Sequence, residues 1–366
     1  HKGGRIGPYK LLEKIGEGGM GEVWRAEQTE PVKRPVAIKV IKRGMDSKDF
    51  IARFEAERQA LAMMDHATIA RVYDAGETAD GRPYLVMEYI HGEPITRYCD
   101  SKRLSTAERI ELFIQVCAGI QHAHQKAIIH RDIKPTNILV TVQDGTPVPK
   151  IIDFGVAKAL AQPLTDKTMF TELGQVIGTP EYMSPEQAEM DITDIDTRSD
   201  VYSLGVLLYE LLTGTLPFDA DTLRGKGYAE IQRIIREVDP PRPSTRVTSL
   251  GAAAATMAAS RTTRPADLAG QLRRELEWIP LRAMRKERAE RYQTPLELAD
   301  DIRNYLDGRP LIAGPESAWY RAQKLVRRRK VESISAAVVV LALLAATIFS
   351  ATAAISEAQQ RRETEA

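Results

Sequence analysis

Five short sequence blocks follow one another between residues 15 and 186, and their order constrains the fold more than any other feature of the chain. The first, Ile15-Gly16-Glu17-Gly18-Gly19-Met20-Gly21-Glu22-Val23, is a G-x-G-x-x-G run. Its glycines permit a tight turn whose backbone amides can approach phosphates closely. Dinucleotide-binding folds spell their phosphate loop the same way, but run from it into a helix, whereas residues 22–26 read as a strand. The second block, Val36-Ala37-Ile38-Lys39, is a strand carrying one lysine, which alone would be a solvated position. The third, His130-Arg131-Asp132-Ile133-Lys134-Pro135-Thr136-Asn137, supplies an acid and, five residues later, an amide. Asp153-Phe154-Gly155 adds a second acid after a short apolar strand, and Ser184-Pro185-Glu186 closes the series. Each block is a weak signal alone, and their conjunction is a strong one.

The stretches around these blocks differ in character. Short β-rich runs are expected at 9–15, 23–26, 36–41, 70–76 and 84–89, interrupted by one helix at about 48–64. Beyond Gly92 helical periodicity takes over, as in Leu112, Phe113, Val116, Ile120 and Ala123, with short strands at 138–142 and 150–152. Residues 200–212 are apolar on nearly every face, which predicts a fully buried helix. The segment 240–265 is rich in Pro, Ala, Ser and Thr, and its composition predicts a mobile insertion. Helices are expected again at 268–284 and 295–306, followed by Asp307-Gly308-Arg309-Pro310 as a stop.

Residues 333–356 form 24 residues without a charge. As a helix they would extend roughly 36 Å, enough for a hydrocarbon layer of about 30 Å. Arg321, Lys324, Arg327, Arg328, Arg329 and Lys330 precede them, and the positive-inside rule places that flank in the cytoplasm. The chain is thus expected to be a single-pass cell-membrane protein with 308–332 as a basic juxtamembrane segment, 333–356 as the span and 357–366 as the start of an extracytoplasmic part. It opens on His1, so it is read as a piece of a longer sequence. The 51 basic and 50 acidic residues give a net charge of +1, which argues against nucleic acid as a partner. Cys99 and Cys117 are too few and too separated for a disulfide framework or metal knuckle, which fits a reducing compartment.

With the five blocks in place, residues 7–307 resemble a protein kinase domain. Val176-Ile177-Gly178-Thr179-Pro180-Glu181-Tyr182-Met183-Ser184-Pro185-Glu186-Gln187-Ala188 and Arg288-Ala289-Glu290-Arg291-Tyr292-Gln293-Thr294 are similar to the eukaryotic-like transmembrane Ser/Thr kinases of bacteria. Ser184 departs from the alanine usual before Pro-Glu. The resemblance implies an α+β, bilobal fold with a small β-rich lobe (7–90) and a larger helical lobe (91–307). It also implies ATP and Mg²⁺, or Mn²⁺ in its place, as cofactors.

The resemblance assigns roles residue by residue. Ile15, Gly16, Gly18 and Gly21 would cover the nucleotide. Lys39 would contact its α- and β-phosphates, held by Glu57, with Glu55 as a rival. Val23, Ala37 and Leu139 would line the adenine slot, with Met87 as gatekeeper and the backbone of Glu88 and Ile90 on the ring edge. Asp153 and Asn137 would hold metal ions, Asp132 would take the acceptor hydroxyl's proton, and Lys134 would sit near the γ-phosphate, a feature of Ser/Thr specificity. Thr165, Thr168 and Thr171 are candidate regulatory phosphosites, with Arg131 as the phosphate's partner. Glu186 with Arg291, and Asp200 with the catalytic-loop backbone, are expected to be architectural, as are Thr179, His66, His122 and His124. The expected partners are protein substrates and a second copy of the chain for trans-autophosphorylation. A pseudokinase scaffold is the alternative, and the presence of Lys39, Asp132, Asn137 and Asp153 argues against it.

Overall fold

The computed structural model describes residues 4–18, 21–42, 59, 61–154, 179–189, 195–219, 223, 227–328, 341–351 and 353. Two compact units result, 1–303 and 304–366.

The first unit begins with a six-stranded antiparallel sheet. Its strands are β1 (Arg5–Ile6), β2 (Tyr9–Gly18), β3 (Gly21–Gln28), β4 (Arg34–Ile41), β5 (Val72–Glu77) and β6 (Pro83–Glu88), in the order β1-β2-β3-β4-β6-β5. Side chains alternate along a strand. Val36, Ile38 and Val40 of β4 pack with Tyr9, Leu11, Trp24, Tyr84 and Val86 on one face. Ala37 and Lys39 therefore belong to the other. Gly21 is required where β3 meets β4, because a Cβ there would lie 2.2 Å from the Val40 carbonyl oxygen. Of the helix expected at 48–64, residues 59 and 61–64 fall within the described residues; 59, 61 and 62 are helical, and the helix has ended by 63 and 64.

A three-stranded sheet, β7 (Glu93–Pro94), β8 (Ile138–Gln143) and β9 (Thr146–Ile151), follows. The end of β9 ties back toward the first sheet, as Ile151 N donates to Thr68 O at 2.7 Å and Ala70 N donates to Ile151 O at 2.9 Å. The helical part starts with α1 (Ile95–Ser101) and α2 (Thr106–Gln125). Ser105 and Glu108 close α2 with a reciprocal capping box. Next come α3 (Pro185–Ala188) and α4 (Thr197–Thr213). Val201, Leu204, Val206, Leu207, Leu208 and Leu211 are all buried on α4, so that helix is surrounded by protein. Gly214 ends it at φ 72°, the left-handed conformation that glycine adopts without a Cβ penalty. Beyond it lie α5 (Tyr228–Glu237), α6 (Pro243–Ser249), α7 (Ala253–Ala259), α8 (Pro265–Gln271), α9 (Trp278–Ala283) and α10 (Pro295–Leu306).

Residues 240–265 differ from the expected mobile insertion. They form α6 and α7 and lead into α8, with Val247, Ala254 and Ala258 buried. Buried Arg261 supplies the reason: its Nε donates to Leu212 O at 2.8 Å and Nη2 to Leu211 O at 3.0 Å, closing carbonyls left open at the end of α4. The helix expected over 268–284 is interrupted by a wider π turn at Leu272–Leu276.

In the second unit, α11 (Ala318–Arg328) is helical, as are residues 341–351. Leu341, Leu343, Leu344, Ile348 and Phe349 are exposed on the latter. Among the described residues no helix is long and apolar enough to cross a membrane, and residues 333–340 lie outside them.

Candidate active site

The loop carrying residues 130–137 lies between α2 and β8, and its shape is set by one buried carboxylate. Asp200, in the first turn of α4, is 1% exposed. It accepts from His130 N and Arg131 N at 2.8 Å each and pairs with His124 Nε2 at 2.7 Å. Burial pushes the Asp200 carboxyl up, but the bonds from His124 and the His130 amide outweigh it and hold the group below its ordinary range. These bonds fix Arg131 at φ 63°, a left-handed conformation costing about 1–3 kcal/mol in a non-glycine residue. Gln187 Nε2 adds a bond to Arg131 O at 2.9 Å. Burial also holds the His130 imidazole below its ordinary range, and its ring lies 4.6 Å from that of Phe154.

Three side chains meet beyond this anchor. Asn137 Nδ2 donates to Asp132 O at 2.8 Å and Asp132 Oδ2 at 3.1 Å, while Lys134 Nζ lies 2.9 Å from the same Oδ2. Lys134 Nζ also reaches Thr179 Oγ1 at 3.4 Å. Across the cleft, Lys39 Nζ forms an ion pair with Asp153 Oδ1. Asp153 is at φ 57°, just past the strand end where Ile152 N donates to Asn137 O at 2.9 Å. One backbone bond thus couples the two carboxylate-bearing segments.

The remaining predicted residues fall around this centre. Val23 is half-buried and pairs with Lys39 across β3 and β4, and Ala37 is buried opposite Met87. An apolar recess behind Lys39 is lined by Ile41, Leu61, Met64, Leu85, Met87 and Phe154. Glu88 N donates to Arg71 O at 2.8 Å, and Ile90 and Leu139 are half-buried. Ile15 is exposed beside Gly16, and Gly18 ends β2. Glu57, Glu55, Thr165, Thr168 and Thr171 lie outside the described residues.

Away from the cleft, Arg291 grips Glu186 through two bonds of 2.7 and 2.8 Å, both residues buried, and Ser199 Oγ donates to Glu186 Oε1 at 2.6 Å. Ser184 caps α3 through Gln187 N, a bond the usual alanine could not make. Sequence reasoning passed over Gln187 and the His124 contact with Asp200. The placement of Gln187 directly after Ser184-Pro185-Glu186 was the available signal for the first, whereas a lone histidine on a helix gave none for the second. His66 and His122 stack with rings 5.2 Å apart, away from the carboxylates described above.

A glycine-bearing strand pair beside a lysine-bearing strand, together with a loop carrying an acid and an amide and a second acid just past an adjoining strand, defines a phosphotransferase of the protein kinase type. The protein kinase domain model matches residues 9–265, and the chain belongs to that family, on its bacterial serine/threonine branch. It is 36% identical over 307 residues to the serine/threonine-protein kinase PknB of Mycobacterium tuberculosis, covering 82% of this chain and 43% of the relative. It is 37% identical over 248 residues to the serine/threonine-protein kinase Pkn1 of Myxococcus xanthus, covering 67% of this chain and 34% of that one. The chain therefore spans less than half the length of these relatives. Among solved structures, the PknI kinase domain of M. tuberculosis superposes with a TM-score of 0.58 at 26% identity, covering 84% of this chain and 99% of that one.

Proposed function

We propose that the chain transfers the γ-phosphoryl group of ATP to serine or threonine hydroxyls of proteins, including its own, and that a single helix at 333–356 tethers it to the membrane with the kinase domain in the cytoplasm. The observation carrying the catalytic reading is the convergence of Asp132, Lys134 and Asn137 within bonding distance of one another, joined through Asn137 to the segment bearing Asp153.

Each of these side chains has a task in such a transfer. Asp132 would orient the acceptor hydroxyl and take its proton as the phosphoryl group leaves. Lys134, already at Asp132 Oδ2, would offset negative charge on the transferred group. Lys39 would hold the phosphates, with Glu57 as its partner. Glu88, whose N–H is used within the protein, would offer the adenine edge its carbonyl, and Ile90 its amide.

The donor set fits a hard divalent cation such as Mg²⁺: a carboxylate at Asp153 and the amide oxygen of Asn137, whose nitrogen is already committed to Asp132. Those two residues would hold the ion, which when bound would neutralise charge on the phosphates. Arg131 Nε is buried without a hydrogen-bond partner among the described residues, which supports a role in receiving a phosphothreonine formed at Thr165, Thr168 or Thr171.

Incubation with ATP and Mg²⁺ followed by mass spectrometry of the phosphorylated residues tests this reading. Phosphoserine and phosphothreonine are expected, with at least one of the three loop threonines modified. Phosphate confined to tyrosine would overturn the Ser/Thr assignment.

A further inference from the structure

The helix α11 lies in the basic stretch before the uncharged segment, and its sequence has two series at the same helical spacing. Trp319, Ala322 and Val326 fall at i, i+3 and i+7, which puts them along one side of a helix. Arg321, Lys324 and Arg328 repeat that spacing two residues later, about 200° around the helix at 3.6 residues per turn, on the opposite side. The structure adds an independent asymmetry. Tyr320 is committed to the protein, its hydroxyl accepting from Leu311 N at 3.2 Å and its ring lying 5.9 Å from Lys324 Nζ. Trp319, one position away, is 78% exposed, the highest value among the large hydrophobic side chains described.

We infer that α11 is an interfacial helix that lies on an anionic lipid surface, with Trp319 at the level of the headgroups and acyl boundary and the cations among the headgroups. This inference rests on the membrane-tethered reading and assigns its juxtamembrane segment a bound state. Charge complementarity selects the occupant. Six cations (Arg321, Lys324, Arg327, Arg328, Arg329 and Lys330) face a single acid, Glu332, between Ser317 and Ser356. A tryptophan opposite a cationic stripe is the pattern of helices that rest in the interface plane, and basic residues beside a span are drawn to anionic headgroups. An apolar protein groove would accommodate Trp319, Ala322 and Val326, but nothing in it selects the excess of positive charge along the same stretch.

The test uses the full chain in lipid nanodiscs containing interfacially brominated lipid, made either of phosphatidylcholine alone or of phosphatidylcholine mixed with phosphatidylglycerol. The Trp319 signal is the difference between wild type and Trp319→Phe, since Trp24 and Trp278 also emit. In anionic discs this signal is expected to be blue-shifted and quenched by the brominated lipid. It should be markedly less so in zwitterionic discs, or in anionic discs when Arg321, Lys324, Arg327 and Arg328 are all changed to Gln. Trp319 emission insensitive to brominated lipid, or quenching indifferent to both lipid charge and the four substitutions, would overturn the inference. A chain that fails to enter the discs defeats the tether reading separately. The same quenching is then read on anionic vesicles, where its presence upholds the interfacial helix and its absence overturns it.

Discussion

Asp200 Oδ1 lies 2.8 Å from the backbone nitrogen of Arg131 and accepts its hydrogen bond. A buried carboxylate on one helix thus dictates the conformation of the residue before Asp132. Asp200→Asn places an amide NH₂ where one of three donors points, while keeping the volume. Because small misplacements at a reacting centre cost about 10²-fold in rate, kcat is expected to fall by about that factor with KM for ATP little changed. Steady-state kinetics of the purified variant check this, with an unchanged kcat as the contrary result.

The Glu186–Arg291 pair joins the segment after the catalytic loop to the end of the helical lobe. Removing one partner of a buried ion pair leaves the other uncompensated, at about 3–5 kcal/mol. Glu186→Gln is expected to lower the urea midpoint accordingly, while Glu186→Leu combined with Arg291→Met should recover much of the loss. Equal destabilisation in the single and double variants would refute the coupling.

The same pair sets a pH dependence. Burial raises the Glu186 carboxyl, but the bonds from Arg291 and Ser199 outweigh it, so its folded pKa is depressed. A depressed acid contributes stability fully above its unfolded pKa, about 4.3, and loses it as pH falls toward the folded value. The stability gap between wild type and Glu186→Gln should therefore be constant from pH 7 to about 5 and shrink below about 4. Urea titrations across that range measure it, and a gap that widens on acidification would contradict the assignment.

Arg261 makes the 240–265 segment part of the helical lobe. Arg261→Met removes donors from three α4 carbonyls, those of Glu210, Leu211 and Leu212, each buried acceptor costing about 1–3 kcal/mol when unpaired. Thermal unfolding is expected at a clearly lower temperature, whereas a segment independent of the lobe would leave the transition unmoved.

The site blocks were legible because each pairs a backbone requirement with a chemical group. Gly21 must lack a side chain where β3 crosses Val40, and Lys39 alternates with three apolar neighbours that fix its face. The 240–265 segment was misread because its alanines and hydroxyls resemble a linker in composition, although alanine is also the strongest helix former. What folds it is the capping by Arg261 of α4 carbonyls about 50 positions earlier, and no local pattern encodes such a bond. The support of Asp200 by His124, 76 residues away, was hidden for the same reason.

Transfer of label from γ-³²P-ATP to a serine- and threonine-containing protein, compared between the chain and Asp132→Asn, tests the central claim most directly. The wild type is expected to incorporate label on Ser and Thr, and the variant to do so at least about 10²-fold more slowly, the usual contribution of a positioned base. Equal rates from the two proteins, or no incorporation by either, would contradict the account.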